Sequence, residues 1–352
     1  MTETASPIQT DALIIGCGPA GLYLAFQLGL LGISCHIVDA QKHPGGQVSA
    51  LYGDKKIYDI PGTPACTGWE LTERLLAQVV PFAPRLHLDE EIIGFASGDA
   101  DGGWKLSTSA GTLLHASCVF VTAGVGAFAP RRLKVDGIEA LEGSQVHHWQ
   151  PAGEDLAGQK VLVVGGDELA LDRIESLLSG DHAPPASITL MHRREVLKAP
   201  PERLAWFESI CHSGVVNFEV GQVTGLQMHD GLLAAVERSG PDGDLPPLRV
   251  DAVVVALGLS PRLGPLADWG LLMERKQLPV DTARFATSLA GVFAAGDIVT
   301  YPGKKKLIVS AFHEATLAAF AAADLLNPVR NQVLQYTSSS SLLHERLHIA
   351  DQ

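Results

Sequence analysis

Residues 10–40 read TDALIIGCGPAGLYLAFQLGLLGISCHIVDA, and this stretch decides the fold. Ala12-Leu13-Ile14-Ile15 is a short apolar run of the kind buried on both faces of a parallel sheet. It leads into Gly16-Cys17-Gly18-Pro19-Ala20-Gly21, the G-x-G-x-x-G spacing. In that pattern Gly16 permits the tight turn, Gly18 lets backbone approach a pyrophosphate, and Gly21 lets the helix pack on the strand. Leu22 to Leu31 continues as an apolar helix whose first N–H groups face the phosphates. The next strand, Cys35-His36-Ile37-Val38, ends on Asp39, eighteen positions after Gly21, where a ribose hydroxyl needs an acceptor. Strand, glycine turn, helix, strand and acid at this spacing predict a dinucleotide site. The fingerprint alone leaves FAD and NAD both open.

The pattern restarts later in the chain. Lys160 to Val164 runs into Gly165-Gly166-Asp167-Glu168-Leu169-Ala170, and a second strand, Ser187 to Met191, ends on His192-Arg193-Arg194. Two such units imply two nucleotide-binding domains. Between the copies, Gln41 to Gly68 is rich in Gly and Pro and reads as a loop. Gly45-Gly46 offers backbone freedom there, and Tyr52 and Tyr58 offer flat faces. Trp69 to Val80 has helical spacing, and the pieces around Leu86, Ile92, Trp104 and Leu113 read as an antiparallel meander. Val253 to Gly258 and Gly291 to Asp297 are further apolar strands, the latter delivering an acid at its end. Leu307 to Ala323 is a long apolar helix, and the tail from Asn327, with Ser338 to Ser341, alone reads as a flexible linker.

With 352 residues the chain is long enough for two or three domains with their own cores. A net charge of −13 argues against a nucleic-acid-binding protein, because phosphate contacts need a basic surface. Five cysteines without a C-x-x-C encode neither a zinc site nor a dithiol centre, and read as small buried hydrophobes in a reducing compartment. The thirteen histidines are scattered, and His147-His148 has no ligand pattern around it, so no metal site is expected. The N-terminus lacks a signal-peptide pattern and no uninterrupted apolar run reaches about eighteen residues. A cytoplasmic protein without a membrane span is the expectation.

With GCGPAG (16–21), GGQ (45–47), ALYGDKKIYDIPG (50–62), AGVGAFAPRRL (123–133), HRR (192–194), GLSPRLGPLADWGL (258–271), AAGDIVTYPGKKKLIVSAFHEA (294–315) and QYTSSSSL (335–342), the chain resembles the ferredoxin–NADP reductases of the thioredoxin-reductase-like type. These are flavoproteins with two dinucleotide-binding domains, and the resemblance covers nearly the whole chain. It implies an α/β fold of two Rossmann-like, three-layer, parallel-sheet domains, the second inserted into the first. The segments are 1–125 and 259–352 for FAD, the latter with the C-terminal tail, and 126–258 for NAD(P). It implies a homodimer that passes electrons between NADP(H) and ferredoxin or flavodoxin through bound FAD, with no catalytic side chain beyond the flavin.

The resemblance also assigns roles residue by residue. Gly16, Gly18, Ala20 and Gly21 cradle the FAD pyrophosphate, and Asp39 takes the adenosine ribose. Gln47 bonds near the flavin, Tyr52 stacks on its ring, Ile92 meets the adenine end, Phe128 packs nearby and Asp297 accepts from the ribityl chain. Tyr336 and Ser338 reach the flavin of the partner subunit. Gly165, Gly166, Arg193 and Arg194 hold NADP. The absence of C-x-x-C separates the chain from thioredoxin reductases, whose chemistry requires paired thiols.

One departure stands out. The family pattern in the second motif is G-x-G-x-x-A, and Asp167 stands where its second glycine would. A carboxylate about 4–6 Å from a phosphate charge costs roughly 3–4 kcal/mol at an effective dielectric of about 20, before screening. Lys198 stands where the family tends to have arginine, keeping the charge but losing the fork. Two alternatives follow: an FAD enzyme fed by NADH or another donor, and a non-catalytic FAD-binding redox sensor. For an acidic partner, Arg131-Arg132-Lys134 and Lys304-Lys305-Lys306 are the basic patches on offer.

Overall fold

The computed structural model describes residues 6–98, 102–148, 156–179, 182–328 and 336–348. The chain divides into unit 1, Met1–Phe128 with Pro261–Gln352, and unit 2, Ala129–Ser260. The second unit is therefore inserted into the first.

Unit 1 begins with β1 (Ile8–Ile15), whose second half, Ala12 to Ile15, is buried while its first half is largely exposed. α1 (Pro19–Leu30) follows, then β2 (Cys35–Asp39), which lies parallel to β1 with Ile14 opposite Ile37. α1 is apolar all round because it is covered all round, with Leu22, Leu24 and Leu28 fully buried. Each such leucine is worth about 1.5–3 kcal/mol relative to an exposed one.

The sequence reading treats 41–68 as loop, but the structure folds α2 (Gln47–Tyr52) into it. Gly45 (φ +106°) and Gly46 (φ +54°) reverse the chain, and Val48 and Ser49 then turn inward. A six-residue helix has too few turns to show a period, and its Gly/Pro-rich flanks hide it. α3 (Gly68–Val79) starts on a capping box: Thr67 Oγ1 accepts from Glu70 N at 3.2 Å and Glu70 Oε2 from Thr67 N at 2.8 Å.

Four strands follow: β3 (Arg85–Leu88), β4 (Ile92–Ser97), β5 (Trp104–Thr108) and β6 (Leu113–Val121). The expected meander is present only from β4 to β6. β3 instead lies parallel to β2, with Ile37 opposite Leu86. Only two residues mark the join between Leu88 and Ile92 as a change of direction, Asp89 at φ +59° and the Glu90 N–H given to Asp39 O. Nothing in the apolar pattern records such a switch.

Unit 2 contains β7 (Val146–His147), β8 (Lys160–Gly165), α4 (Glu168–Ser179), β9 (Ser187–His192), α5 (Pro201–His212) and β10 (Val216–Val220). An antiparallel group, β11 (Gln222–His229), β12 (Leu232–Gly240) and β13 (Gly243–Arg249), precedes β14 (Ala252–Ala256). The parallel sheet has the order β7-β14-β8-β9-β10. Val161 and Val163 face the layer with α4 and α5, while Leu162 and Val164 face Val223, Leu233 and Val236 of the antiparallel layer. Both faces are covered, so the strands read as unbroken apolar runs instead of alternating ones.

The chain then re-enters unit 1. β15 (Val292–Ala294) pairs parallel with β6, completing a sheet of order β3-β2-β1-β6-β5-β4 with β15 beside β6. α6 (Ile308–Leu326) has the length and composition of a bilayer span at 19 residues and mean hydropathy 1.3. Its Ala311, Ala315, Ala318, Ala319 and Ala322 are buried, which is how a core helix uses that composition. The tail is not simply linker. α7 (Ser341–Arg346) is capped by Ser340 Oγ, buries Leu343, and gives Arg346 Nη1 to Pro81 O at 3.3 Å.

Candidate functional site

The three glycines of the first turn have separable physical jobs. A Cβ on Gly16 would strike Thr122 O at 2.5 Å, at a φ of +112°, and one on Gly21 would meet Gly16 O at 2.0 Å. These two permit the turn and its packing. A Cβ on Gly18 would meet nothing nearer than Gly45 O and Gly46 Cα at 3.9 Å. The bareness of Gly18 serves the open cleft beside it, not the packing of the turn. Thr122 Oγ1 ties the turn down by donating to Gly16 O at 2.9 Å.

That cleft lies within unit 1. Its lining includes Gly16, Gly18, Ala20, Asp39, Gln47, Tyr52, Ile92 and Asp297. Two helices start on it: α1 through Gly18, Pro19 and Ala20, and α6 through Leu307 and Ile308. Neither has a side-chain cap, so their first-turn N–H groups are left for a ligand of negative charge. A bare glycine cradle beside two uncapped helix starts fits a dinucleotide. Gly21 packs behind the turn, and the side chain of Phe128 lies outside the described residues.

The two acids differ. Asp39 is already engaged, Oδ2 accepting from Cys17 N at 2.6 Å and Oδ1 from Gln41 N at 2.7 Å. Burial raises its pKa, against the lowering effect of those two N–H bonds. The carboxyl of Asp297 is also raised by burial, with Lys304 and Lys306 pulling it down and Glu314 pushing it up. Tyr52 ends α2 with 43% of its surface exposed. A ring that size left open at a cleft mouth has a face available for stacking.

Several lining residues escaped sequence reasoning. Trp269 lines the cleft and stacks on Phe95 (centroids 4.9 Å apart, 12° between planes), which in turn stacks on Trp104 behind it. Glu90, Glu91, Arg262 and Lys306 also line the cleft. Arg262 and Trp269 come from the segment after unit 2, and only the closed sheet brings them to β1. Tyr336 and Ser338 are exposed and not among the lining residues of this chain's own cleft, Tyr336 to 72%. The patch at 304–306 is smaller than the sequence suggests, because Lys304 is buried against Glu314 and only Lys305 and Lys306 are exposed. Arg132 is paired with Glu142 at 3.2 Å.

In unit 2 the second glycine turn follows β8 and the basic run follows β9. These strands are parallel neighbours, with Val164 opposite Met191. Gly165, Gly166, Arg193 and Arg194 therefore share the carboxyl edge of that sheet, where α/β folds bind nucleotides. A Cβ on Gly166 would overlap the His192 ring at 2.1 Å, and Lys198 N donates to Gly166 O at 2.8 Å. Arg193 and Arg194 are exposed. Asp167 Oδ1 is buried with no hydrogen-bond partner among the described residues.

All five cysteines are free, and burial pushes the thiols of Cys17, Cys35 and Cys118 up to about 12, which leaves them poor nucleophiles near neutral pH. No cluster of metal-ligating side chains occurs among the described residues.

Residues 10–316 match the family model described as pyridine nucleotide-disulphide oxidoreductase. The chain is 48% identical over 358 residues to a ferredoxin–NADP reductase of Paracidovorax citrulli, covering 99% of this chain and 98% of that protein. It is 46% identical over 349 residues to that of Albidiferax ferrireducens, again covering 99% and 98%. Its fold is like that of the thioredoxin reductase of Lactococcus lactis, with TM-score 0.61 and 21% identity over 91% of this chain and 100% of that one. By its two sheets, its first glycine turn and these likenesses, the chain belongs to the pyridine nucleotide-disulphide oxidoreductase family.

Proposed function

We propose that this protein is a ferredoxin–NADP reductase: an FAD enzyme moving electrons between NADP(H) and a ferredoxin or flavodoxin, in the cytoplasm and off the membrane. The observation that carries the reading is the unit 1 cleft, which gathers Gly18, Asp39, Gln47, Tyr52, Ile92 and Asp297 in one lining, in a chain so similar to reductases of that name. FAD supplies the conversion between a two-electron hydride donor and a one-electron partner. The protein's share is positioning. Gly18 and the start of α1 hold the pyrophosphate, and Asp39, kept in place by two N–H groups, faces the ribose. Ile92 would meet the adenine end, Tyr52 would cover the ring, and Asp297 would accept from the ribityl hydroxyls. The start of α6 faces the other end of the cleft with positive character.

In unit 2, Gly165 and Gly166 form the turn for NADP(H) and Arg193 with Arg194 read its 2′-phosphate, since arginine suits bidentate phosphate contact. The domains are then unit 1 for FAD and unit 2 for NADP(H). Lys305 and Lys306, exposed at the cleft end, are suited to an acidic electron partner. A homodimer completes the site, with Tyr336 and Ser338 offered to the neighbouring subunit. Their exposure here is what supports that reading.

A second reading, with another electron donor in place of a nicotinamide nucleotide, is favoured by one observation: Asp167 in the second glycine turn, with Oδ1 buried and without a hydrogen-bond partner among the described residues. An anaerobic titration decides between the two. The expected result is bleaching of the bound flavin by NADPH at least about tenfold faster than by NADH. A preference for NADH, or no bleaching by either, removes the first reading.

A further inference from the structure

The residues after Asp297, IVTYPGKKKL, carry much of the family resemblance, yet the cofactor contacts leave Tyr301 and Lys304 without a task. In the structure both converge on Glu314, on the second turn of α6. Tyr301 Oη donates to Glu314 Oε1 at 2.7 Å, Lys304 Nζ donates to the same oxygen, and Gly296 N donates to Oε2 at 2.7 Å. Glu314 is 1% exposed and Lys304 7%. Lys304 also lies over the Tyr301 ring, 5.7 Å from its centroid.

A buried carboxylate persists only where it is paired and hydrogen-bonded, and here both oxygens are engaged. Its backbone partner is the informative one. Gly296 immediately precedes Asp297, has φ +87°, and a Cβ on it would sit 3.2 Å from the Ala20 Cβ on α1. The Gly296-Asp297 turn is thus pinned between the start of α1 and the body of α6, with both of its residues lining the cleft. The anchor does not come from the turn's own strand. It crosses eighteen positions of sequence to reach it.

We propose that Glu314 is the positioning residue of the Gly296-Asp297 turn, and that Tyr301 and Lys304 hold its carboxylate in place, aimed at the Gly296 amide. The proposal rests on the reading of the cleft as an FAD site. Glu314 acts on the cofactor through Asp297 and does not touch it. Lys304 compensates the buried charge, so it is unavailable to an electron partner, and Lys305 and Lys306 remain for that role.

Replacing both partners of the ion pair by apolar groups removes the two charges together and leaves no unpaired buried charge behind. Apoprotein of wild type, Glu314→Leu/Lys304→Met and Lys304→Met is reconstituted with FAD. The dissociation constant is read by flavin fluorescence, and the melting temperature of each apoprotein is recorded alongside. The double variant is expected to bind FAD about tenfold or more weakly. In an Asp297→Ala background the same double change is expected to cost less than about threefold, because residues acting in series are not additive. FAD binding within twofold of wild type in the double variant overturns the proposal, as does a full, additive loss in the Asp297→Ala background. If the double variant does not fold, Lys304→Met decides: weaker FAD binding supports the proposal and unchanged binding overturns it. Wild-type apoprotein that takes up no FAD sinks the cofactor reading itself, an outcome distinct from these.

Discussion

Single residues carry the sharpest chemical question about this protein, and Asp167 carries most of it. The position lies in the turn between β8 and α4, where a phosphate-binding loop tolerates little side chain and no negative charge. Its buried Oδ1 has no hydrogen-bond donor among the described residues. Asp167→Gly is therefore expected to tighten NADPH and NADH binding alike, by about tenfold, since the pyrophosphate is common to both. Arg193→Ala with Arg194→Ala is expected to weaken NADPH alone, because only that nucleotide carries a 2′-phosphate. Titration calorimetry of both nucleotides on each variant checks this, and an unchanged affinity in Asp167→Gly shows that the side chain turns away when ligand binds. Asp167 was legible from sequence because a motif defines what is absent from it. Glu314 was not, because a glutamate in an apolar helix has no motif and its partners, Gly296, Tyr301 and Lys304, meet it only when α6 lies beside its preceding loop.

At the level of elements, the β2–β3 edge of the unit 1 sheet contains a titratable contact that bears on the cleft. His36 Nδ1 and His87 Nε2 are 2.9 Å apart across the parallel pair, and the rings stack with centroids 5.2 Å apart. His87 Nδ1 is 3.7 Å from Oε1 of Glu90, a cleft-lining residue whose Oε2 accepts from Thr108 Oγ1 at 2.5 Å. Burial, then His87 and Arg85, hold the His36 imidazole below its ordinary 6.5. The folded state then binds fewer protons at His36 than the unfolded chain does between that lowered value and 6.5. Stability from this group is complete above 6.5 and is lost as pH falls below it, at no more than about 1.4 kcal/mol per pH unit. Melting temperatures from about pH 7 to 5 are expected to fall more steeply for wild type than for His36→Gln. Equal slopes would clear His36 of any role. The same edge shows the limit of pattern reading. β1, α1 and β2 are plain in sequence because length and period agree, whereas β3 has the same apolar character as the meander beside it and differs only in direction.

For the whole molecule, the covalent order of segments differs from their spatial order. Unit 2 is one contiguous insertion with its own two apolar layers, while unit 1 closes only when residues after Ser260 return to place β15 against β6. The cleft needs both parts of unit 1: Gly18 and Tyr52 from the first, Trp269 and Asp297 from the second. The tail, proposed above to reach a neighbouring subunit, is tested at the same scale. α7 is anchored on the unit 1 surface through Leu343 and Arg346, while Tyr336 stands 72% exposed. Light scattering is expected to give about twice the chain mass of 37.3 kDa. Tyr336→Ala is expected to alter the flavin spectrum without lowering that mass. A monomer that retains a wild-type flavin spectrum in Tyr336→Ala would remove the tail from the site.

The sequence by itself determined the class of this protein, because the two glycine turns, their flanking apolar strands and the terminal acid are local chemistry whose spacing is set by strand and helix geometry. It also showed that no C-x-x-C pair is present to carry dithiol chemistry. The tertiary structure alone decided which lysine side chain is buried and which exposed, that β3 runs with β2, that Trp269 of the returning segment lines the cleft, and that Glu314 holds the Gly296 amide. Those facts depend on contacts between positions far apart in the chain, and a one-dimensional pattern carries no information about which distant residues a closed sheet will bring within a hydrogen bond of each other.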